Sequence, residues 1–316
     1  MSSNKDVRLI VRCAKMYHEE NMKQDEIGQK LGISKATVSR LLKIAVEMGI
    51  VQITVRDQYS KKLINIEKDL EDEYDLLEVI ICDSNSESEM EIKKSIAREA
   101  AKYLQRVLTP NSIIGVSNGT TLAAIPNYVE INRNNNLTFV PMAGGNGQIN
   151  AEIHSNNVAL HMAKAFKGNY KILYAPAMVE KAESRNTFIE DPGIKSVLSL
   201  TKKLDVAIFG VGSSNSKSTV SITAEYLSEN EMVDMESLGA VADICNIFID
   251  ESGSGDVFES NKRVIGIELE DLRNTPLKVV VAGYEGKVKA IKSVLKARLA
   301  DVLITDIETA KLLIEG

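Results

Sequence analysis

Residues 23–48 read Lys-Gln-Asp-Glu-Ile-Gly-Gln-Lys-Leu-Gly-Ile-Ser-Lys-Ala-Thr-Val-Ser-Arg-Leu-Leu-Lys-Ile-Ala-Val-Glu-Met. The pattern is that of a helix-turn-helix, a module whose second helix enters the DNA major groove. Asp25 is placed to cap a helix with Ile27 and Leu31 on its apolar side, and Gly32 stands just past its end. Ile33 turns inward and Ser34 is placed to cap the next helix, in which Val38, Leu41, Leu42 and Ala45 recur at helical spacing as a buried stripe. The opposite side is small, hydroxylated and basic. It carries Lys35, Ala36, Thr37, Ser39, Arg40 and Lys43, which with Ser34 form the expected DNA-binding set. Arg40 can pair bidentately with a guanine edge, and the rest can hold phosphates or read bases. An earlier helix over about residues 6–20 is expected to add Val7, Ile10, Val11, Ala14 and Tyr17 to the same core, and Gly49 to Val55 reads as a short strand or wing.

Charge is divided unevenly along the chain. Residues 1–56 hold ten Lys or Arg against six Asp or Glu, a net of +4, while the other 260 residues hold 28 against 38, a net of −10. A basic head on an acidic body is what a nucleic-acid-binding domain fused to a different domain shows. Three domains are therefore expected: a DNA-binding head over 1–56, a linker helix over 57–77, and a body over 78–316. In the linker Leu63, Ile66, Leu70, Tyr74 and Leu77 step by 3, 4, 4 and 3, a stripe that suits a dimer contact or packing on its own domain equally well.

Composition excludes several classes. Apolar residues make up 44% of the 316, enough for two cores, and no run approaches the ~18 needed to span a bilayer. No secretory signal opens the chain, so a soluble, cytoplasmic protein without membrane partners is expected. Cys13, Cys82 and Cys245 are odd in number and lack CxxC spacing, which points to reduced buried thiols. His18, His154 and His161 lack the neighbours a metal needs, so no metal and no cofactor is expected.

From residue 78 apolar runs alternate with amphipathic helices. The runs are Val79–Cys82, Ile113–Val116, Leu137–Val140, Ile172–Ala175, Val206–Val211, Ile244–Ile249, Val264–Ile267, Val279–Ala282 and Val302–Ile304. Near-continuous apolar strands between helices predict a parallel sheet covered on both faces, with ligands at the carboxyl ends of the strands. Four loops there have suitable chemistry. Ser117-Asn118-Gly119-Thr120-Thr121 leads a strand into a helix and can cradle an anion with backbone N–H and hydroxyl groups. Ala143-Gly144-Gly145-Asn146-Gly147, Gly210-Val211-Gly212-Ser213-Ser214 and Gly283-Tyr284-Glu285-Gly286-Lys287 are the others, the last offering an ammonium.

Taken in order, these motifs resemble the SorC family of sugar-responsive bacterial transcriptional regulators, grouped with the deoxyribonucleoside regulator type. The resemblance rests on Ser39-Arg40-Leu41-Leu42-Lys43, Gly115 to Leu122, Tyr174-Ala175-Pro176-Ala177, Gly210 to Ser213, Gly239 to Ile244, Gly266 to Leu272 and Val302 to Asp306. It implies an α/β chain, with a winged helix-turn-helix domain and a Rossmann-like effector domain of the ribose-5-phosphate isomerase/glucosamine-6-phosphate deaminase type. It further implies a sugar or sugar-phosphate effector, operator DNA, a homodimer or homotetramer, and control, mostly repression, of a carbohydrate or nucleoside operon. By position, Gly119, Thr120 and Thr121 would hold the phosphate, with Lys287 reaching it. Gly144 and Gly145 would line the sugar site, Asp243 would bond hydroxyls, and Ser117 and Asn146 complete the effector-binding set. The chain departs from relatives that carry Lys or Arg at the position of Ala143, which excludes a Schiff base there.

Because the implied fold is shared with enzymes, Asp243, Asp250, Glu225 and Asp306 are candidates by loop position for the base of an aldose–ketose isomerase. Each has a plainer reading as a cap, turn or hydroxyl-binding residue, and no Ser–His–Asp order, P-loop or dinucleotide fingerprint is present. The expectation is a regulator with no catalytic residue.

Overall fold

The computed structural model describes residues 4–52, 61–82, 88–130, 135–145, 151–214 and 227–315. The chain divides into two compact units between Tyr59 and Ser60.

The first unit consists of α1 (Asn4–His18), α2 (Gln24–Leu31) and α3 (Lys35–Glu47). Ile10, Cys13, Ala14, Met16, Ile27, Val38, Leu41, Leu42 and Ala45 form its core. The α3 stripe is the one expected from spacing. In α1, Met16 closes the core in place of Tyr17, whose ring stays in solvent with an edge contact to His18, keeping its hydroxyl in water. Asp25 does not cap α2. That helix starts two residues earlier, with Lys23 as N-cap, its N–H donating to Glu26 Oε2 at 3.0 Å, and Asp25 lies in the first turn. No strand follows α3 as far as Gln52; the rest of the expected wing lies outside the described residues.

The second unit starts with α4 (Lys61–Tyr74). Its stripe is committed to its own domain: Leu63, Leu70 and Tyr74 are buried in the main core, and Tyr74 Oη donates to Leu313 O at 3.0 Å. The stripe ends there, because Leu77 lies beyond the helix and is 73% exposed. The acidic flank has a further use. Glu71 and Glu67 accept from the backbone N–H of Val79 and Ile81, both at 2.9 Å, which occupies the outer edge of the first strand.

Among the described residues the large sheet has seven strands: β1 (Glu78–Cys82), β2 (Ile113–Val116), β3 (Thr138–Pro141), β4 (Asn169–Tyr170), β5 (Val206–Phe209), β9 (Leu277–Val281) and β10 (Val302–Asp306). All pair in parallel in the order β1-β10-β9-β5-β2-β3-β4. Alternate residues serve two cores. Val79, Ile81, Val140, Phe209 and Val280 face one, Phe139, Ile208, Val279 and Val281 the other. Helices α5 (Glu89–Val107), α6 (Thr120–Ala124) and α7 (Ser155–Phe166) cover the second face. The first face is covered by α4 with α9 (Pro192–Thr201), α12 (Val288–Lys296) and α13 (Ile307–Glu315). Between them in sequence come α8 (Ala182–Glu190), α10 (Glu229–Ser237) and α11 (Leu269–Arg273). A mixed α/β unit on a parallel sheet is thus observed.

Three expected strands turn out otherwise. Ile244–Ile249 is a hairpin of β7 (Ala242–Ile244) and β8 (Ile247–Ile249), because Cys245 and Asn246 both take left-handed φ, 54° and 67°. With β6 (Gly212–Ser213) it makes a small antiparallel sheet. Ile172–Ala175 forms no ladder, since the Asn156 side chain takes both backbone groups of Leu173, at 2.8 and 3.0 Å. Val264–Ile267 is held by single bridges, Ala143 to Gly266 and Met178 to Val264. Cys13, Cys82 and Cys245 are buried and form no disulfide among the described residues. No described helix is long and apolar enough to cross a membrane.

Candidate functional site

The direction of chain growth fixes where a ligand can sit. From β2 the chain proceeds outward through β3 to β4, then returns to β5 on the other side of β2 and proceeds through β9 to β10. The sheet therefore reverses between β2 and β5, and the crevice at a reversal is where open α/β sheets bind ligands. A cleft of about 650 Å³, its open mouth included, lies there.

Its walls come from several elements. The turn after β2 and the start of α6 supply Ser117, Gly119, Thr120 and Thr121; the turn after β5 supplies Gly210 and β6 supplies Gly212; β7 supplies Asp243, and the turn after β9 supplies Lys287. Gly119 has φ 143° and ψ 148°, a backbone that side chains rarely adopt, and it delivers the chain into α6. Its N–H donates to Ile153 O at 2.9 Å. The Thr120, Thr121 and Leu122 N–H groups are the first of α6 and face no preceding turn. Buried Ser117 ties the two central turns together, its Oγ donating to Asn118 O at 2.9 Å and accepting from Gly210 N–H at 3.2 Å.

Asp243 and Lys287 set the electrostatics. Asp243 Oδ1 is buried with no hydrogen-bond partner among the described residues. Burial pushes its carboxyl up to about 7, against the hydrogen bond from the Asn246 backbone and the charge of Lys287. Burial also lowers the Lys287 ammonium, and the charge of Lys93 lowers it further, while Glu89 and Asp243 act the other way. The Asp243 oxygen gains from a hydroxyl donor and the incompletely solvated Lys287 ammonium from an anionic group, so a guest that carries both suits the cleft.

The structure thus brings together Ser117, Gly119, Thr120, Thr121, Asp243 and Lys287. It does not bring Gly144 and Gly145 to this cleft. Gly144 donates to Ile265 O and Gly145 to Ala175 O, both at 2.9 Å, and a Cβ on Gly144 would lie 2.3 Å from Pro176 O. Gly144 thus allows a close backbone approach, whereas a Cβ on Gly145 would meet nothing within 4 Å. Asn146 lies outside the described residues. Sequence reading missed Lys93 of α5, which lines the cleft; its spacing of four from Glu89 is that of any solvated helix pair and carries no signal of a site.

The carboxylates weighed as bases have other duties. Asp306 accepts from Tyr284 N–H at 2.8 Å and from the Thr309 N–H and hydroxyl at 3.0 and 2.6 Å. Asp250 closes its own turn by accepting from Ser252 and Ser254. Glu225 lies outside the described residues.

In the first unit Ser34 Oγ accepts from Thr37 N–H at 3.1 Å, capping α3. Lys35, Ala36, Ser39, Arg40 and Lys43 are exposed and Thr37 is half-buried. Lys35 pairs with Asp25 at 3.0 Å, but both side chains are over 60% exposed, so the pair contributes little and yields readily to a phosphate.

This fold and cleft define a ligand-sensing domain. The sugar-binding domain family matches residues 59–315. The chain is 30% identical to the sorbitol operon regulator of Klebsiella pneumoniae over 317 aligned positions, the whole of both chains. It is 31% identical to the deoxyribonucleoside regulator of Bacillus subtilis (strain 168), with 97% of each covered. Among solved structures, the full-length sorbitol operon regulator SorC from Klebsiella pneumoniae superposes with a TM-score of 0.77 at 29% identity, covering 99% of this chain and all of that one. A DeoR family transcriptional regulator from Listeria monocytogenes gives 0.73 at 31% identity, covering 79% of this chain and 98% of that one. The chain belongs to the SorC/DeoR-type family of sugar-binding transcriptional regulators, and it is a sugar-responsive regulator, not an enzyme.

Proposed function

We propose that the chain represses a carbohydrate or nucleoside catabolic operon and releases its operator when a phosphorylated sugar enters the cleft between β2 and β5. The observation that carries this reading is the convergence of Thr120, Thr121, Asp243 and Lys287 on one cleft at the sheet's reversal point. Hydroxyls, helix-start N–H groups and an ammonium suit a phosphoryl group, while the partnerless Asp243 oxygen suits sugar hydroxyls. Two of the curated relatives are named for sorbitol and for deoxyribonucleosides, which supports a ligand of this class.

In this reading residues 1–56 are a winged helix-turn-helix head, 57–77 a linker helix, and 78–316 an effector domain of the ribose-5-phosphate isomerase/glucosamine-6-phosphate deaminase type. The exposed basic side of α3 supports the head's role, with Arg40 as base reader. The protein acts in the cytoplasm as a homodimer or homotetramer, its heads addressing half-sites about 34 Å apart or a multiple of that. The effector shifts the population between assemblies of different operator affinity, by no more than its own preference for one of them.

The test is a panel of sugar phosphates and free sugars, read in parallel by melting temperature and by operator binding at fixed salt. A compound that raises the melting temperature and lowers operator affinity is the expected result. A panel that stabilises the protein without altering operator affinity overturns the regulatory reading.

A further inference from the structure

The cleft holds a second cation. Lys93 stands in the second turn of α5 and lines the same cavity as Lys287. It differs from the other helix-surface pairs of α5. Its side chain is 22% exposed, against 45% for Lys94 one residue on, and its Nζ lies 2.6 Å from Glu89 Oε1. Two ammoniums sharing one partly desolvated cavity repel each other unless an anion lies between them. The Lys287 ammonium is lowered first by burial and then by the charge of Lys93, which places the two cations within electrostatic reach of each other. Glu89 pairs with the Lys93 ammonium from the solvent side, its own side chain 46% exposed. A neutral sugar hydroxyl would leave that repulsion to Glu89 and Asp243 to offset, whereas a phosphomonoester dianion could pair with both ammoniums.

We propose that Lys93 is a specificity-determining residue that makes this cleft select a dianionic phosphoryl group, and that Glu89 holds its ammonium until the ligand takes it over. The proposal rests on the effector reading given above and adds to it the charge of the ligand and the residue that reads the charge. It yields opposite signs for the two halves of one ion pair. Lys93→Gln removes an attractive charge from the site, and Glu89→Gln removes a competitor for it.

The experiment titrates inorganic phosphate into the full chain at pH 8 and constant ionic strength, with dissociation constants from calorimetry and melting temperature. Wild type, Lys93→Gln, Lys93→Arg, Glu89→Gln and the double variant Thr120→Ala/Thr121→Ala are compared. Loss of the cation should weaken phosphate binding by about tenfold, roughly the 1.4 kcal/mol that separates decades of affinity. Lys93→Arg should keep most of the affinity, and Glu89→Gln should bind several-fold more tightly. Phosphate binding that needs Thr120 and Thr121 but is unchanged in Lys93→Gln overturns the role of Lys93 and leaves the cleft's effector role intact. A shift in the same direction for Lys93→Gln and Glu89→Gln would show a merely structural pair and also overturns it. Wild type that ignores both inorganic phosphate and the sugar-phosphate panel removes the phosphorylated-effector reading itself.

Discussion

Gly283 and Asp306 stand so close that a Cβ on the glycine would lie 2.3 Å from the aspartate Oδ2. The same oxygen accepts from Tyr284 N–H at 2.8 Å, so the carboxylate at the end of β10 anchors the turn that leads from β9 to Lys287. Asp306 is 2% exposed and accepts from three donors, two of them the Thr309 groups through which it caps α13, which is why it acts as a fastener and not as a base.

Gly283→Ala should therefore act at a distance on the cleft. Overpacking of this kind costs about 1–3 kcal/mol, and the displaced turn should misplace Lys287. Urea denaturation will report the first effect and phosphate affinity the second. A variant with wild-type stability and affinity would show that the turn has slack.

Arg40→Ala should leave the melting temperature unchanged, because Arg40 is exposed, and should weaken specific operator binding by about 1–3 kcal/mol while relaxing preference at one base pair. Lys43→Ala should instead reduce affinity for all sequences and lower the salt slope by about one unit. Both are read by fluorescence anisotropy over a salt series. Unchanged specific binding in Arg40→Ala would move the base contact elsewhere on α3.

The double variant Thr120→Ala/Thr121→Ala should abolish stabilisation by the effector, which for a site occupied at 100 times its dissociation constant is about 2.7 kcal/mol. The measurement is the melting temperature with and without ligand. An undiminished shift would place the ligand outside this cleft.

Asp243 carries a pH dependence with a definite sign. Burial raises its carboxyl from 3.8 to about 7, so between those values the folded chain holds a proton that the unfolded chain releases. Its contribution to stability is present below pH 4 and is lost as the pH rises through 7. Asp243→Asn should remove that slope from the melting temperature of the ligand-free protein and make it more stable than wild type at pH 8. A parallel pair of profiles would mean that the Asp243 carboxyl titrates normally.

Leu70→Ala should destabilise the second unit by about 2–5 kcal/mol, since Leu70 is fully buried where α4 packs on its domain. Chemical denaturation of the full chain measures it. A small effect, with a change of oligomeric state, would favour the dimer-contact reading of the same stripe.

Much of this architecture is written locally. Spacing of Val38, Leu41, Leu42 and Ala45 gives the buried side of α3, and thereby its exposed basic side, because a helix places every third or fourth residue together whatever surrounds it. Strand runs such as Val206–Phe209 and Val279–Val281 are legible for a similar reason, as a strand buried on both faces tolerates few polar residues. The turn at Cys245–Asn246 was not legible, since two non-glycine residues at positive φ carry only a weak sequence signal. Leu173 looked like a strand residue until Asn156, 17 positions earlier, took its backbone bonds.

Sequence alone determined the division of charge, the stripes of the helices and strands, and the small, hydroxylated turns that follow them, since these depend on residues within a few positions of one another. Tertiary structure decided which turns share a cleft. It joined Thr120, Asp243 and Lys287, set Gly144 aside against Pro176, and turned Lys93 from a surface charge into a wall of the site. The physical reason is that strand order governs which loops meet, and burial governs what a charge is worth once they do; neither is a property of any single stretch of chain.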